Sequence, residues 1–308
     1  MTEILNTKHL TKRYGKVTAV SDLSLNVGEG EIYGFLGLNG AGKTTTIRML
    51  LGMIRPSSGN AFLFGKRIHA GAYDLWRDVG YLVEMPYSYP ELSVRENLEI
   101  VFGLRGLKEP DFIDRIMEKL KLQEYADRQV KHLSLGNAQR LGLAKALIHN
   151  PRVLLLDEPS NGLDPAGIVE IRDFLLDLAQ NHGVTIFISS HILSEISRLA
   201  SRIGIIHSGR LLQELDSATM EKSRRKRLLL KGGDNGLMNQ ILAEAGFAVT
   251  AAEDGGLQTS DARAVEKPEM IARLLAEHHC YPKSLYTEVE DLESYFLRMI
   301  GAKEEKAL

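Results

Sequence analysis

The chain of 308 residues contains one cysteine, Cys280. A single cysteine excludes an internal disulfide and any zinc or iron–sulfur site that needs several cysteines, which fits a reducing compartment. No apolar run approaches the roughly 20 residues that a membrane span requires, and the N-terminal residues lack the basic region and apolar core of a signal peptide. These absences predict a soluble, cytosolic chain that would act at a membrane only through a partner.

The chain also lacks a surplus of positive charge. Its 38 Lys and Arg residues are matched by 40 Asp and Glu residues, for a formal net charge of −2. Because nucleic-acid binding depends on an excess of cations, this balance disfavours a protein that coats DNA or RNA. The length suggests about two domains.

Residues 1–215 alternate short apolar runs with helical patterns, as is typical of an α/β domain. The apolar runs are nearly continuous, which suits strands of a parallel sheet that is covered on both faces. From about residue 86 to residue 150 helical patterns replace the strands, so we predict an α/β core with a helical subdomain. The predicted elements are strands at 31–36, 153–156 and 184–188, a helix at about 42–52, a helix that a Ser93–Glu96 capping box begins, and a helix that begins at Pro110–Asp111.

Residues 216–308 predict a smaller accessory α+β domain. The predicted order of strand, helix, strand, strand, helix and strand is that of a ferredoxin-like unit, with a hairpin turn at Asp254-Gly-Gly256. The basic run Lys222–Arg227 fits either a solvated linker or a contact with anionic lipid headgroups. The domain could bind a regulatory ligand, or it could support an assembly or dock a partner. The predicted elements are strands at 228–230 and 284–287 and helices at 237–245, 268–278 and 292–300.

A glycine-rich loop joins the strand at 31–36 to the helix that follows. Residues 37–44 match the pattern GxxxxGK[ST], in which backbone N–H groups at a helix N-terminus cradle phosphate oxygens. Lys43 is expected to reach the β- and γ-phosphates of a nucleotide, and the Thr44 hydroxyl is expected to bind Mg²⁺. The alternative is a flexible connection, but the flanking strand and helix are the context that a phosphate loop requires. Its other expected nucleotide contacts are Gly37, Asn39, Gly40, Ala41, Gly42 and Thr45.

Two adjacent acids, Asp157 and Glu158, end the strand at 153–156. Beside a phosphate loop, Asp157 can hold Mg²⁺ and Glu158 can orient or polarise the attacking water. A capped strand followed by a solvated turn is the alternative, and the phosphate loop argues against it. Upstream, Ser134 and Gly136 begin a predicted helix, where they offer a hydroxyl and N–H groups to a phosphate or simply cap the helix.

Five motifs in this order resemble the ATP-binding subunit of an ABC transporter, over roughly residues 1–215. They are the phosphate loop, the signature Leu133-Ser-Leu-Gly-Asn-Ala-Gln-Arg140, Leu154-Leu-Leu-Asp-Glu-Pro159, Ser160-Asn-Gly-Leu-Asp164 and Ser189-Ser-His191. The resemblance implies a P-loop NTPase fold and a head-to-tail homodimer, in which two ATP molecules lie between the phosphate loop of one protomer and the signature of the other.

The resemblance also implies roles for single residues. Ser134 and Gly136 would contact the γ-phosphate bound to the opposite protomer, and Asp164 would lie in the loop that links the two sites. His191 would touch the γ-phosphate and hold the catalytic geometry, while Tyr14 would stack on adenine.

Two departures from the family pattern stand out. Glu84 occupies the position of a glutamine that usually contacts Mg²⁺; a carboxylate is a stronger ligand, although the alternative is that it faces solvent. Leu135 and Asn137 replace the usual Gly and Gln of the signature, and Leu135 keeps its N–H for phosphate at a steric cost. An acidic residue here and a Leu-containing signature resemble the bacitracin-resistance and lantibiotic-immunity exporters.

These features predict an ATP hydrolase that uses Mg²⁺ and powers export of a peptide antibiotic or a similar amphiphile through separate polytopic permease subunits. The chain would then be cytoplasmic and peripheral on the inner face of the cell membrane. The alternative is a soluble ABC-type ATPase that acts on ribosomes or DNA. Such proteins generally carry two ATPase units or a long coiled-coil insert, whereas this chain has one phosphate loop, and no nucleic-acid partner is expected.

Overall fold

The computed structural model describes residues 3–84, 87–109, 111–252 and 254–304. It divides the chain into two compact units, Met1–Ser217 and Ala218–Leu308, where the sequence predicts a boundary after residue 215. Within the described residues, none of the helices is both long enough and apolar enough to cross a membrane.

The first unit is a layered α/β structure. Its strands are β1 (Glu3–Tyr14), β2 (Val17–Gly28), β3 (Ile32–Leu36), β4 (Ser58–Leu63), β5 (Lys66–Arg67), β6 (Val79–Leu82), β7 (Val153–Asp157), β8 (Thr185–Ser190), β9 (Arg202–His207) and β10 (Arg210–Asp216). Its helices are α1 (Lys43–Leu50), α2 (Val94–Leu104), α3 (Asp111–Lys119), α4 (Leu135–Leu147), α5 (Pro165–His182) and α6 (Leu193–Ile196), with short 3₁₀ turns at Tyr73–Asp78, Gln123–Tyr125 and Val130–His132.

A six-stranded sheet in the order β10-β9-β3-β8-β7-β6 forms the centre of this unit. It is parallel from β9 to β6, and β10 pairs antiparallel with β9. The predicted strands at 31–36, 153–156 and 184–188 are confirmed as β3, β7 and β8. Because parallel strands present their carboxyl ends at the same edge, the loops after β3, β8, β7 and β6 lie together, where open α/β sheets bind ligands.

Aromatic side chains of β3 and β8 pack in the core beneath this edge. The Tyr33 and Phe187 rings are stacked with centroids 5.5 Å apart, and Phe35 lies 5.2 Å from Phe187. All three are buried. Such ring pairs add favourable contact energy to the burial of apolar area, so the strands that carry the loops are firmly anchored.

A second, antiparallel sheet in the order β2-β1-β4-β5 packs in the same core. Nothing in the sequence patterns predicts it, because the pairing of β1 with β2 shifts register at several points and so interrupts the alternation of apolar and polar residues. His9 and Asp22 adopt positive φ angles of 52° and 55° within these strands. The simple alternation of strands and helices predicted for residues 1–215 is therefore wrong for the first 28 residues.

The stretch between β6 and β7 is helical, as predicted. Ser93 caps α2: its Oγ accepts a hydrogen bond from the Glu96 backbone N–H at 3.2 Å, and Glu96 Oε2 accepts one from the Ser93 N–H at 2.7 Å. The predicted capping box is thus confirmed. Helix α3 begins at Asp111, whereas Pro86 and Pro110, which the predictions also included, lie outside the described residues.

The second unit has the predicted ferredoxin-like order. Its strands β11 (Lys226–Gly232), β12 (Thr250–Ala251), β13 (Leu257–Thr259) and β14 (Pro282–Val289) form an antiparallel sheet in the order β12-β13-β11-β14. In the predicted turn, the Asp254 carboxylate accepts a hydrogen bond from the Gly256 N–H, and Gly255 has a φ of 79°. The helices are α7 (Ser217–Ser223), α8 (Asn235–Glu244), α9 (Ala262–Glu266), α10 (Pro268–Glu277) and α11 (Leu292–Glu304).

Acidic side chains neutralise part of the basic run Lys222–Arg227. Arg224 pairs with Glu221 at 2.7 Å, and Arg227 pairs with Glu288 at 2.5 Å. These pairs reduce the charge that the run can offer to anionic headgroups. The linker interpretation is wrong as well, because the run includes the end of α7 and the start of β11.

Candidate nucleotide-binding site

The glycine-rich loop after β3 has the backbone geometry of a phosphate cradle. Gly40 and Gly42 have φ angles of 80° and 107°, which residues with a side chain rarely adopt. A Cβ atom at Gly42 would lie 2.5 Å from the Ala19 carbonyl oxygen, and one at Gly37 would lie 2.6 Å from that of Ile206. Gly42 has no side chain to cap α1, so the first N–H groups of the helix are available to an anion.

Lys43 lies across this loop and is 7% exposed. Its Nζ donates hydrogen bonds to the carbonyl oxygens of Gly37 at 2.7 Å and Leu38 at 3.3 Å. The same nitrogen is 3.1 Å from Glu158 Oε1. The ammonium group is therefore held where phosphates would meet it, with a carboxylate as its present counter-ion.

Asp157 is buried at the end of β7 and gathers two hydroxyl groups. Thr44 Oγ1 donates to Asp157 Oδ2 at 2.6 Å, and Ser189 Oγ donates to Asp157 Oδ1 at 2.5 Å. A carboxylate beside a hydroxyl on the first turn of α1 is the oxygen set that suits Mg²⁺ next to phosphates. The residues present thus fit the predicted metal site.

Glu158 stands between Lys43 and His191. Its φ is 50°, a left-handed conformation that costs free energy for a non-glycine residue and tends to occur at functional sites. Glu158 Oε2 is 2.8 Å from His191 Nδ1. Glu158 Oε1 is buried and accepts no hydrogen bond of good geometry from the described residues, although Lys43 Nζ is near. This oxygen therefore keeps unused capacity to accept a hydrogen bond.

Two contacts hold Glu158 in this strained position, and neither was predicted. The fully buried Ser189 accepts hydrogen bonds from the Glu158 N–H through its carbonyl and its hydroxyl oxygen, both at 3.2 Å. Gln139 Nε2 donates to the Glu158 carbonyl oxygen at 3.2 Å. Ser189 belongs to the Ser189-Ser-His191 motif, but only His191 has an obvious chemical role in the sequence, so the supporting serine is overlooked.

Glu84 follows β6 and has an unpredicted partner. Glu84 Oε1 lies 2.6 Å from the Arg48 guanidinium, and the carboxylate is 56% exposed. Arg48 is four residues after Thr44 on α1, so both side chains project from one face of that helix. Glu84 is therefore neither free in solvent nor paired with Thr44 or Asp157 in this structure, and binding Mg²⁺ would require it to leave Arg48.

The remaining predicted residues lie on the glycine-rich loop, on α1 and α4, at the end of β1 and at the start of α5. Ser134 caps α4, which confirms the predicted helix start, and its Oγ accepts a hydrogen bond from the Asn137 N–H at 3.2 Å. Asp164 caps α5 and accepts from the Gly167 N–H at 2.9 Å. Tyr14 is half-exposed at the end of β1 with Lys12 Nζ 4.9 Å from its ring centroid. Asn39 is exposed at the tip of the glycine-rich loop, Ala41 is buried within it, Thr45 is half-buried on α1, and Gly136 is half-buried on α4.

Comparison with known proteins agrees with this geometry. Residues 20–161 match the ABC transporter family model. The bacitracin transport ATP-binding protein BcrA of Bacillus licheniformis is 41% identical over 304 residues, which are 98% of each chain. The lantibiotic transport ATP-binding protein SrtF of Streptococcus pyogenes is 39% identical over 68% of this chain and 90% of its own. A solved ATP-binding subunit of an ABC transporter is 28% identical with a TM-score of 0.65, over 71% of this chain and 92% of that chain.

Proposed function

Because the chain belongs to the ABC transporter family as an ATP-hydrolysing, ATP-binding subunit, we propose that it powers export of a peptide antibiotic or a similar amphiphile. The similarity to the bacitracin transport protein over 98% of both chains carries this proposal, since it includes the second unit as well as the ATPase unit. Export would proceed through separate polytopic permease subunits, with this chain bound peripherally on the inner face of the cell membrane.

The charged cluster supports a specific order of events at the site. The β- and γ-phosphates of ATP would replace Glu158 as the counter-ion of Lys43. Glu158 Oε1, which accepts no hydrogen bond from the described residues, would then be free of its ion pair as well. That oxygen would accept a proton from the attacking water while the contact with His191 keeps Glu158 aimed at it. Thr44 and Asp157 would hold Mg²⁺, which would offset the charge of the phosphate oxygens.

The signature supports the proposed head-to-tail dimer. Ser134 and Leu135 are exposed at the N-terminus of α4, so the Ser134 side chain would be on a surface that a second chain can approach. A helix N-terminus of this kind favours an anion such as the γ-phosphate of ATP. Dimerisation would therefore place ATP between Lys43 of one protomer and Ser134 of its partner.

Exposed tyrosines on the first unit support docking of a permease. We call Tyr87 and Tyr89 the tyrosine surface; Tyr87 is 84% exposed, and its ring centroid is 6.4 Å from that of Tyr89. Tyrosine is enriched at protein–protein interfaces because it combines a large apolar ring with a polar tip. Tyr81 lies on the edge strand β6 just before Glu84, so a partner bound here would be next to the nucleotide site.

Purification of the full chain from native membranes tests this function. We expect a polytopic membrane protein to copurify with the wild-type chain, and substitution Tyr87→Ala to weaken that association by about tenfold. Tyr281→Ala is the matched control, because Tyr281 is an exposed tyrosine of the second unit. Copurification with ribosomes and no membrane protein would contradict the proposed function; equal recovery from Tyr87→Ala and Tyr281→Ala would contradict only the docking surface.

The pairing of Glu84 with Arg48 predicts how the chain responds to Mg²⁺. Arg48→Gln releases Glu84, and since an exposed ion pair contributes at most about 1 kcal/mol, the Mg²⁺ concentration for half-maximal ATP hydrolysis should fall by up to about fivefold. Glu84→Gln should raise it, because an amide is the weaker ligand. Mg²⁺ titrations of the hydrolysis rate check both values. Curves identical to wild type for both variants would show that Glu84 takes no part in metal binding.

A further inference from the structure

Leu135, the residue that replaces the usual glycine of the signature, packs against Gly162 of the same chain. A Cβ atom at Gly162 would lie 2.4 Å from both Cγ and Cδ2 of Leu135, so any larger residue at position 162 would have to displace this side chain from its present place. Gly162 also has a φ of 78°. A Cβ atom at Gly136 would lie 3.0 Å from the Gly162 carbonyl oxygen, which shows a second close approach of the two segments.

We call residues 133–140 the signature segment and residues 159–164 the linking loop. Polar contacts extend the same junction along α4. Gln139 donates to the Glu158 carbonyl oxygen at 3.2 Å, and Arg140 pairs with Glu170 on α5 at 2.7 Å. Hydrogen bonds from Lys121 and Arg140 hold the pKa of Glu170 below its ordinary value, so this carboxylate is charged at neutral pH. The helix of the signature is thus attached on both sides of the linking loop.

We propose that Leu135 is a positioning residue that makes the signature segment and the linking loop move together. Ser134 and Gly136 would dock on ATP that is bound to the second chain. The Leu135 side chain, which packs on Gly162, then transmits this docking to Glu158 of its own chain. This inference rests on the proposed head-to-tail dimer. The proposed role explains why a bulky residue stands at a position where the backbone N–H alone would suffice to bind phosphate: the Leu135 side chain contacts the linking loop of its own chain.

The contact predicts a specific pattern of rates in the full-length chain. Gly162→Ala drives a Cβ atom into Leu135 and should lower kcat for ATP hydrolysis by about tenfold, with KM for ATP changed by less than about twofold. Leu135→Ala removes the contact and should lower kcat by about threefold, since the linking loop is then less firmly placed. The double variant Leu135→Ala with Gly162→Ala should recover most of the kcat lost in Gly162→Ala, because the clashing Cγ and Cδ2 atoms are gone.

The control variant Gly183→Ala distinguishes the steric clash in Gly162→Ala from the backbone strain that a positive φ imposes on any alanine. Gly183 has a φ of 68° at the end of α5, and a Cβ atom there would meet nothing within 4 Å. This control should retain nearly wild-type kcat. Thermal unfolding and binding of a fluorescent ATP analogue verify that each variant is folded and binds nucleotide.

Three results would overturn the role of Leu135. These are a double variant no faster than Gly162→Ala, a loss in Gly183→Ala as large as that in Gly162→Ala, and full kcat in Leu135→Ala. The proposed dimer is examined separately through ATP-dependent association of the Glu158→Gln chain. If that chain stays monomeric with ATP, the proposed dimer is wrong. If it dimerises while the double variant with Leu135→Ala and Gly162→Ala is no faster than Gly162→Ala, only the role of Leu135 is wrong.

Discussion

Replacing Glu158 with Gln is expected to lower ATP turnover by about 10²–10⁴-fold while ATP still binds, because general-base catalysis contributes a factor of this size. The glutamine keeps the shape of the side chain but cannot accept the proton of the attacking water. It also removes the anion that pairs with Lys43 at 3.1 Å, so phosphates meet less competition for that cation. The variant should therefore accumulate as an ATP-bound dimer.

Phosphate release and analytical ultracentrifugation with ATP and Mg²⁺ measure the two effects on Glu158→Gln. Glu118→Gln is the matched control, because Glu118 is an exposed acid on α3, and it should hydrolyse ATP at the wild-type rate. Unchanged turnover in Glu158→Gln would contradict the assigned catalytic role. Lost turnover without any dimer would instead contradict the proposed assembly.

Replacing Lys43 with Ala is expected to weaken ATP binding by more than about a hundredfold, since the phosphates lose a buried cation and its hydrogen bonds are worth about 1.5–3 kcal/mol each. The substitution has a second effect on the protein without nucleotide. It leaves the Glu158 carboxylate, which is 15% exposed, without its cation. Removing one partner of a buried ion pair is destabilising, so the free energy of unfolding should fall by about 1–3 kcal/mol.

Calorimetric titration with ATP and thermal unfolding check these two effects of Lys43→Ala. The double variant Lys43→Ala with Glu158→Gln distinguishes them, because it removes the stranded charge without restoring the phosphate contact. Its stability should return towards wild type while ATP binding stays weak. Wild-type affinity for ATP in Lys43→Ala would refute the assignment of Lys43, and a double variant as unstable as the single one would refute the ion-pair explanation.

Local patterns in the sequence predict the side chains that the structure brings together at the edge of the central sheet. The phosphate loop, the acids after β7 and the histidine after β8 are each short segments whose residue types follow from their chemistry, and parallel strands bring Lys43, Asp157, Glu158 and His191 to one edge. The same local character made the hairpin at Asp254 and the capping box at Ser93 predictable.

Contacts between distant segments could not be predicted in this way. Arg48 and Glu84 are 36 residues apart, and either could have faced solvent on its own element. The packing of Leu135 on Gly162 depends on the path of two separate loops. The antiparallel sheet of β1 and β2 was missed because its register shifts interrupt the period of two that identifies a strand.

The most direct test of the central claim, that ATP hydrolysis at Glu158 powers export, is uptake of labelled peptide antibiotics by inside-out membrane vesicles. The vesicles contain the full chain and the polytopic protein that copurifies with it. We predict uptake that requires ATP and that is lost when the chain carries Glu158→Gln, with the permease present in equal amount. Uptake at the same rate with the Glu158→Gln chain would contradict it.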